Sequence, residues 1–539
     1  MHFFLSRLQS NWKSGLTVAL VSVPMSVSLA VASGTNPTVG IITAVWAGLL
    51  GAIFGGSHFD IMGPAGALSG ILAAFALQQG AHLLPMLAIV TGVIVFISYA
   101  LRFEKYLTFI PASTVHGFTL GVGLILAFGQ MGFAFGLPTL PRHQEFFANV
   151  IEAFKHIGSS HIPTTITFIV TLALMFVFLK YVKKVPPAII VTPFAILLGY
   201  LGYIGELPFA LQTLGEKFPN ISSTLFILPT FHIDVKLLTT ALTVAFVAIL
   251  ETMLCGKVAD GMTGTKYNRR KEMFGLSIAN IGAGLAGGLP ATAVLARTAL
   301  NAKSGANHKM SQGINAVFVA IISLVFLGTF KYIPLSVIAA ILVFTSIRMI
   351  ESHHFIRMYR YDKISFGLSL IVAFATLYWD PTIGILVGTA VSLLFFVEKI
   401  SKGQFELIAN DIAQKAIVDR ISGVTIKTLP ENCDTLVYSV KGELAYINAQ
   451  AHISRFETIP DHHKNIVLRM RELSFIDLDG VDAFDEIVDI LEKQGKKVLV
   501  TGINPILEKS FADSKAYTRL TESKLVFERT GHALSSLGY

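Results

Sequence analysis

The chain has 539 residues, of which 53% are hydrophobic and 14% charged, and its mean hydropathy is +0.64. Soluble domains carry about 25% charged residues, so this composition excludes a soluble globular protein and indicates an integral membrane protein. The formal net charge of +8 is spread over short Lys and Arg clusters between apolar runs, which fits membrane topology and argues against a nucleic-acid partner.

The first apolar run has no small-residue cleavage site and leads directly into a second span, so we expect it to remain as the first membrane helix. The two cysteines, Cys255 and Cys433, fall in an apolar span and in the polar tail. The sequence therefore predicts free thiols and no disulfide framework.

Apolar segments recur along the first 400 residues. A helix needs about 20 apolar residues to cross the hydrocarbon layer, and fewer where it is broken and shielded by protein. By this criterion we predict about fourteen membrane segments, two of them too short to span. In chain order they are Trp12 to Ser33, Val39 to Phe54, Pro64 to Gln78, Leu83 to Leu101, Ser113 to Phe135, Pro163 to Val182, Pro187 to Tyr203, Val235 to Gly256, Lys271 to Leu289, Ala296 to Ala302, Gly313 to Phe330, Pro334 to Met349, Ile364 to Tyr378 and Pro381 to Val397.

Basic residues concentrate in alternate loops, for example at Arg102 and Lys105, from Lys266 to Lys271, and from Arg357 to Lys363. Lys and Arg are retained on the cytoplasmic side of short loops. The alternation predicts an even number of crossings in the inner (plasma) membrane, with the N- and C-termini in the cytosol.

Composition changes after Lys402, where charges become frequent and short β-rich runs alternate with helical patterns. The stretch from Val481 to Gln494 has an apolar face and an acidic face, which is typical of a helix covering a sheet. We therefore predict a membrane transport domain at 1–400, a linker at 401–409 and a small cytosolic α/β domain at 410–539.

Two stretches combine glycines, small residues and a proline inside apolar sequence, at Gly55 to Gly66 and at Gly287 to Thr298. Each is predicted to be an extended stub that leads into a half-helix. Pro64 is predicted to open the first half-helix, because proline is favoured at a first helical position. The amides of Ala65 and Gly66 would then be free, and the small Gly63 would let a ligand approach the backbone.

A helix start carries unpaired N–H groups and about half a positive charge, which makes it a ready anion site. Broken segments at corresponding positions of two halves point to the substrate site of a transporter. Here they are segments three and ten of fourteen, which implies a 7+7 inverted repeat. The alternative interpretation is that the glycines only allow close helix packing.

Two charged residues fall near these stretches. Arg297 lies inside an apolar segment, where a cation is costly and usually functional, although a cytosolic snorkelling arginine is the alternative. Glu251 follows the apolar run Ala241 to Leu250 within the eighth span, and we interpret it as a proton carrier that binds with the anion. A purely structural carboxylate is the competing interpretation.

Other features carry less information. His116 is a lone histidine near the start of the fifth span and is predicted to be a packing residue. No metal-ligand spacing, nucleophile elbow or Walker loop occurs, so we predict neither an enzyme nor a cofactor.

Taken together, the stretches at Gly15 to Gly34 with Pro24, Gly55 to Pro64, Glu251 to Asn280 and Gly287 to Asn301, with the tail, resemble the sulfate permease (SulP) family. This family includes bacterial dicarboxylate, bicarbonate and sulfate members and the human solute-carrier anion exchangers. The resemblance implies a core of segments 1–4 and 8–11, a gate of segments 5–7 and 12–14, elevator movement of the core, and a homodimer.

The resemblance also implies that the anion is held by Met25 and Ser26 of segment one together with the starts of segments three and ten, at Gly63, Pro64, Ala65, Gly66, Ala296, Arg297 and Thr298. In the family Met25 is often Gln, and Ala296 is Ser in some relatives. Both departures imply that backbone amides and Arg297 carry more of the binding here.

The coupling ion remains open between H⁺ and Na⁺. Dicarboxylate members of the family resemble proton symporters, whereas its bicarbonate carriers are sodium-coupled and use an acid in the span that holds Glu251.

The tail resembles a STAS domain. Its soluble relatives carry a phosphorylated serine where this chain has Asp479, before Gly480. The resemblance therefore implies a domain that is not phosphorylated there and that serves as a dimer and trafficking platform.

These observations predict a secondary active transporter of small anions of the sulfate, bicarbonate or dicarboxylate class, coupled to protons and embedded in the lipid bilayer. The alternatives are a passive anion channel, a sodium-coupled bicarbonate symporter, a nucleobase symporter of the same architecture, and a membrane sensor that transports nothing.

Overall fold

The computed structural model describes residues 2–141, 143, 145–182, 185–222, 224–379, 381–411, 416–423, 433–457 and 459–539. The chain divides into two compact units, Met1–Ala390 and Val391–Tyr539, and the division falls inside a helix. The predicted linker at 401–409 contains the end of that helix and the first residues of a strand.

The first unit is helical apart from two short strands. Its helices are α1 (His2–Ala32), α2 (Pro37–Phe54), α3 (Gly66–Gln79), α4 (Leu84–Ala100), α5 (Ala112–Phe128), α6 (Met131–Phe135), α7 (Phe146–Lys155), α8 (Ile162–Tyr181), α9 (Pro187–Tyr203), α10 (Leu214–Lys217), α11 (Val235–Thr263), α12 (Arg269–Leu285), α13 (Leu295–Lys303), α14 (Met310–Phe326), α15 (Leu335–Met349), α16 (Ser352–Tyr361), α17 (Lys363–Tyr378) and α18 (Pro381–Ser401). Its strands are β1 (Met62–Gly63) and β2 (Thr292–Ala293).

Among the described residues, nine helical stretches are long and apolar enough to cross a membrane, and α3, α9 and α17 are shorter apolar helices. With α12 and α13 they account for the fourteen predicted membrane segments. The prediction of an α-helical polytopic membrane fold is confirmed.

Several segment boundaries differ from the prediction. The eighth segment was expected to end at Gly256, but α11 continues to Thr263, so Asp260 lies on this helix, beyond the predicted end of the segment. Its carboxylate accepts hydrogen bonds from the Thr265 hydroxyl and the Tyr267 amide, which shapes the turn into α12. A polar helix end that projects beyond the apolar run gives no hydrophobic signal, which explains the error.

Glycines allow α4 and α12 to approach closely. A β-carbon on Gly92 of α4 would lie 2.8 Å from the Ser277 carbonyl oxygen of α12, and one on Gly284 of α12 would lie 2.5 Å from the Pro85 carbonyl oxygen of α4. Small residues at such crossings are how membrane helices gain packing energy without a hydrophobic driving force. The close packing of α4 against α12 fixes α12, the helix that leads into strand β2.

The second unit is an α/β domain with a seven-stranded sheet among its described residues. Its strands are β3 (Gln404–Asp411), β4 (Ala416–Gly423), β5 (Thr435–Leu444), β6 (Asn465–Arg469), β7 (Leu473–Ile476), β8 (Lys497–Thr501) and β9 (Val526–Phe527), and its helices are α19 (Ala449–Phe456), α20 (Leu478–Lys493), α21 (Pro505–Phe511), α22 (Lys515–Glu522) and α23 (Thr530–Ser536). Strands β5, β6, β8 and β9 are parallel neighbours, and β3 joins β5 and β4 in antiparallel fashion.

Helix α20 covers the sheet as its amphipathic pattern predicted. Phe484, Val488 and Leu491 are buried in the core of this unit. Asp477 caps the helix by accepting the Gly480 amide at 2.8 Å, and Asp479 lies in the first turn. Two acids at a helix start stabilise it through the helix dipole.

Candidate functional site

The two predicted stubs pair with each other. Strand β1 runs antiparallel to β2, with Met62 opposite Ala293 and Gly63 opposite Thr292. The Val294 amide extends this pairing by donating to the Ile61 carbonyl at 3.1 Å. Antiparallel pairing of corresponding segments is the arrangement expected of two halves with inverted topology, and it brings the starts of α3 and α13 to one place.

Side chains from neighbouring helices satisfy the backbone of the second stub. The Thr252 hydroxyl of α11 accepts from the Ala293 amide at 3.1 Å and bonds the Thr292 hydroxyl at 2.8 Å. The Asn280 side chain of α12 bonds both the amide and the carbonyl of Ala291, each at 2.9 Å. Buried backbone groups must be paired in this way, so these polar side chains support the site.

The first stub is held in a similar way. A Glu272 carboxylate oxygen of α12 accepts from the Gly56 amide at 2.6 Å and from the Ser57 amide at 2.7 Å. Asn301 of α13 donates to the Phe59 carbonyl at 2.9 Å. The sequence interpretation missed Glu272, Asn280 and Thr252, although polar residues in or next to apolar spans were the available signal.

Replacing Thr252 with valine tests this support. Thr252→Val keeps the side-chain shape but leaves the buried Ala293 amide without its acceptor, which costs about 1–3 kcal/mol. We expect a lower unfolding temperature of the purified protein and slower anion uptake. The control is Thr239→Val on the same helix, because Thr239 is exposed and its hydroxyl donates to the Lys236 carbonyl within that helix. Equal effects of the two substitutions would contradict the assigned role.

Both half-helices begin without a side-chain cap. Helix α3 begins at Gly66 with Ala65 as its N-cap, and α13 begins at Leu295 with Val294 as its N-cap, and neither cap side chain can accept a hydrogen bond. The expectation that Pro64 is the first helical residue was wrong, because the chain stays extended through Ala65. The first amides of a helix have no partner within it, so both starts carry backbone donors that no cap side chain satisfies.

Arg297 joins the two starts. Its side chain is 1% exposed, and one terminal nitrogen (Nη2) donates to the Pro64 carbonyl at 2.8 Å. Its Nε and Nη1 atoms have no hydrogen-bond partner among the described residues. A buried guanidinium with free donors is costly unless something fills them, and this geometry does not fit the alternative of an arginine that snorkels to the cytosol.

Glu251 lies within α11, which packs against α13, the helix that carries Arg297. No described residue forms a salt bridge with either side chain, and one Glu251 carboxylate oxygen (Oε2) is buried without a partner. The predicted acid and the predicted cation therefore lie on helices that pack against each other.

Gly63 is required by its surroundings. A β-carbon at this position would lie 2.7 Å from Nη1 of Arg297 and 3.5 Å from the Ala44 backbone. Any larger residue would displace the guanidinium from the stub. The position therefore serves the placement of Arg297.

The remaining predicted site residues fall into two groups. Met25 and Ser26 are buried on α1, one turn before Leu29, which lies beside Gly66, and the Ser26 hydroxyl has no partner among the described residues. Ala296 is exposed at the start of α13. Thr298 accepts from the Ile61 amide at 3.2 Å, so its hydroxyl helps join the stubs. A role for these residues in binding stays a prediction.

Paired half-helices at the centre of a polytopic helical unit define a membrane transporter. Residues 8–372 match the sulfate permease family, and residues 427–525 match the STAS domain. The chain belongs to the sulfate permease family. It is an anion transporter of that family and not an enzyme.

Sequence relatives cover nearly the whole chain. A putative sulfate transporter of Bacillus subtilis, YvdB, is 28% identical over 505 residues, which cover 93% of this chain and 92% of the relative. The sodium-independent sulfate anion transporter of Bos taurus is 24% identical over 93% of this chain and 85% of the relative. The bicarbonate transporter BicA of Picosynechococcus is 23% identical over 73% of this chain and 71% of the relative.

Solved structures share the fold. The murine Slc26a9 anion transporter in the inward-facing state is similar with a TM-score of 0.80 at 17% identity, over 98% of this chain and 91% of that one. The transmembrane domain of the cyanobacterial bicarbonate transporter BicA has a TM-score of 0.61 at 23% identity, over 72% and 97%. These similarities support the predicted fourteen-segment architecture with its STAS domain.

Proposed function

We propose that the protein is a secondary active transporter that binds a small anion between the starts of α3 and α13 and carries it together with a proton. The single observation that supports this most is Arg297, which is buried at the junction of the two stubs with two donor atoms free. Uncapped helix starts beside it supply further donors and positive potential.

Charge balance supports the proton. Two helix starts contribute about half a charge each, so with Arg297 the site carries about +2 when Glu251 is protonated and about +1 when it is ionised. A divalent anion therefore matches the site best when Glu251 carries a proton. A monovalent anion matches it with Glu251 ionised.

This balance favours a divalent anion of the sulfate or dicarboxylate class, moved with a proton on Glu251. Relatives described as sulfate transporters cover more of this chain than the bicarbonate transporter does. Bicarbonate is the second candidate. In that case the coupling ion would be Na⁺, and an ionised Glu251 would balance the charge of the Na⁺ instead of carrying a proton.

We further propose elevator movement of a core (α1–α4 and α11–α14) against a gate (α5–α9 and α15–α18), in a homodimer in the inner membrane with both termini in the cytosol. The core helices in this division are those that hold the stubs: α11 and α12 bond them, and α1 contacts both half-helices. Movement of this group as one body would carry the anion without taking the stubs apart.

Uptake into proteoliposomes tests the proposal. Radiolabelled sulfate, succinate and bicarbonate are offered with an inward proton gradient, with an inward sodium gradient, and with neither. We expect accumulation above equilibrium of one divalent anion, driven by the proton gradient alone. Equilibration without accumulation under every gradient would indicate a channel, and accumulation driven only by sodium would indicate the sodium-coupled alternative.

A further inference from the structure

A cluster of metal-ligating side chains lies away from the anion site. His116 of α5, Glu351 at the junction of α15 and α16, and His354 of α16 place one ligand atom each within 4.8 Å of the others. The Nδ1 atom of His116 is 3.1 Å from a Glu351 carboxylate oxygen, and the Nε2 atom of His354 is 3.8 Å from the same oxygen. Three residues from two separate parts of the sequence therefore converge on one point.

The local structure explains why they meet. Glu351 is the N-cap residue of α16, and the His354 amide donates to its carbonyl at 2.9 Å, so the two lie on one helical turn. His116 follows the first turn of α5, and the next residue, Gly117, allows α5 to approach the Ser369 carbonyl of α17 closely. The backbone thus fixes both sides of the cluster.

An ordinary ion pair accounts for only part of this arrangement. Glu351 needs one histidine partner, yet the rings of His116 and His354 stack with centroids 4.4 Å apart at an interplanar angle of 21°. Two protonated rings at this distance would repel each other. At least one ring is therefore neutral and offers the lone pair of a ring nitrogen, and a metal ion could use both imidazoles in this form together with the negative charge of the carboxylate.

The ligand set selects the class of ion. Two imidazoles and one carboxylate suit zinc and related divalent transition metals, whereas Mg²⁺ and Ca²⁺ prefer oxygen ligands. Zinc bound at about 2.0–2.1 Å in tetrahedral geometry places its ligand atoms about 3.3 Å apart. The observed 3.1 and 3.8 Å are near this spacing, and the three side chains are 15%, 30% and 37% exposed, which leaves a path for the ion.

We propose that His116, Glu351 and His354 form a binding site for a divalent transition-metal ion of the zinc class, with water at a fourth position. The site would join α5 to the end of α15. Met349, two residues before Glu351, lies near the start of α3, since a β-carbon on Gly66 would be 3.4 Å from its sulfur atom; a β-carbon on Gly123 of α5 would likewise be 3.3 Å from Ile350. A bound ion would therefore stiffen the packing that surrounds one of the two half-helix starts.

The test measures metal binding directly and does not depend on transport activity. Full-length protein is purified without a polyhistidine tag and titrated with Zn²⁺ against a chromophoric chelator, and Co²⁺ is used as a spectroscopic probe. We expect one Zn²⁺ per chain and visible Co²⁺ absorption of tetrahedral intensity. Because loss of an outer partner already weakens metal binding 10- to 100-fold, we expect His116→Ala and His354→Ala to weaken it by more than about 100-fold.

Two further variants make the test specific. Glu351→Gln keeps a hydrogen-bond acceptor for His116 but removes the anionic ligand, so the fold is preserved and we expect metal binding to be lost. His308→Ala is the control, because the His308 ring lies beside the His58 ring, with centroids 5.4 Å apart, outside the three-ligand cluster. Wild-type Zn²⁺ affinity in Glu351→Gln, or binding by the wild-type protein no tighter than in a His116→Ala/His354→Ala double variant, would overturn the proposal.

Discussion

Arg297→Ala is expected to lose anion binding while the fold is kept. The substitution removes the cation at the junction of the stubs and the donors that face the proposed ligand. A hydrogen bond to a charged group contributes about 1.5–3 kcal/mol, so we expect affinity to fall roughly 10- to 150-fold. Isothermal titration calorimetry of the purified protein with sulfate measures this loss of affinity.

Two variants separate binding from stability. Arg297→Lys keeps the charge and one donor for the Pro64 carbonyl but loses the planar guanidinium, so we expect an intermediate affinity. Arg348→Ala removes an exposed arginine at the end of α15 and should leave affinity unchanged. Wild-type affinity in Arg297→Ala would show that the anion binds elsewhere.

Glu251→Gln is expected to separate transport from the proton gradient. Glutamine has the shape of a protonated glutamate but cannot release a proton, so the site stays at about +2. We expect anion exchange to continue, accumulation driven by a proton gradient to be abolished, and the apparent affinity for sulfate to lose its dependence on pH. In the wild-type protein, acidification should raise sulfate affinity, because protonation of Glu251 removes a negative charge beside the anion.

The same variant distinguishes substrate classes. Preference for sulfate over bicarbonate should increase in Glu251→Gln, since the fixed +2 charge favours a dianion. Glu152→Gln is the control, because Glu152 pairs with Lys155 on α7 outside the proposed site. Accumulation that still follows the proton gradient in Glu251→Gln would assign the proton to another group.

The helices could be predicted from sequence because the hydrocarbon layer imposes a length and a composition on every span. The errors fall where this constraint ends. Asp260 lies on a polar turn of α11, which hydropathy does not register. The start of α3 was predicted two residues too early, at Pro64 instead of Gly66, because the pairing of β1 with β2 keeps the chain extended and overrides the local preference of proline for a first helical turn.

The site could be predicted only in part. Arg297 and Glu251 were singled out because a charge within an apolar segment is conspicuous, and the stubs because glycine and proline interrupt the span; the roles of the two charges in binding and coupling stay predictions. Thr252 and Asn280 were missed because their partners are backbone atoms of another segment, and backbone partners leave no mark in the sequence. His116 was interpreted as a packing residue because Glu351 and His354 are more than two hundred residues away in sequence, and only the fold brings them together.

The pairing of the two stubs has a mechanical consequence. Ile61 forms hydrogen bonds with both Val294 and Thr298, and Arg297 donates to the Pro64 carbonyl. These bonds hold the two stubs together. Separating the two stubs would leave backbone amides without partners in an apolar environment, where each unsatisfied group costs several kcal/mol. In the proposed elevator movement, the bound anion and the two paired stubs would therefore move together as one unit relative to the gate helices.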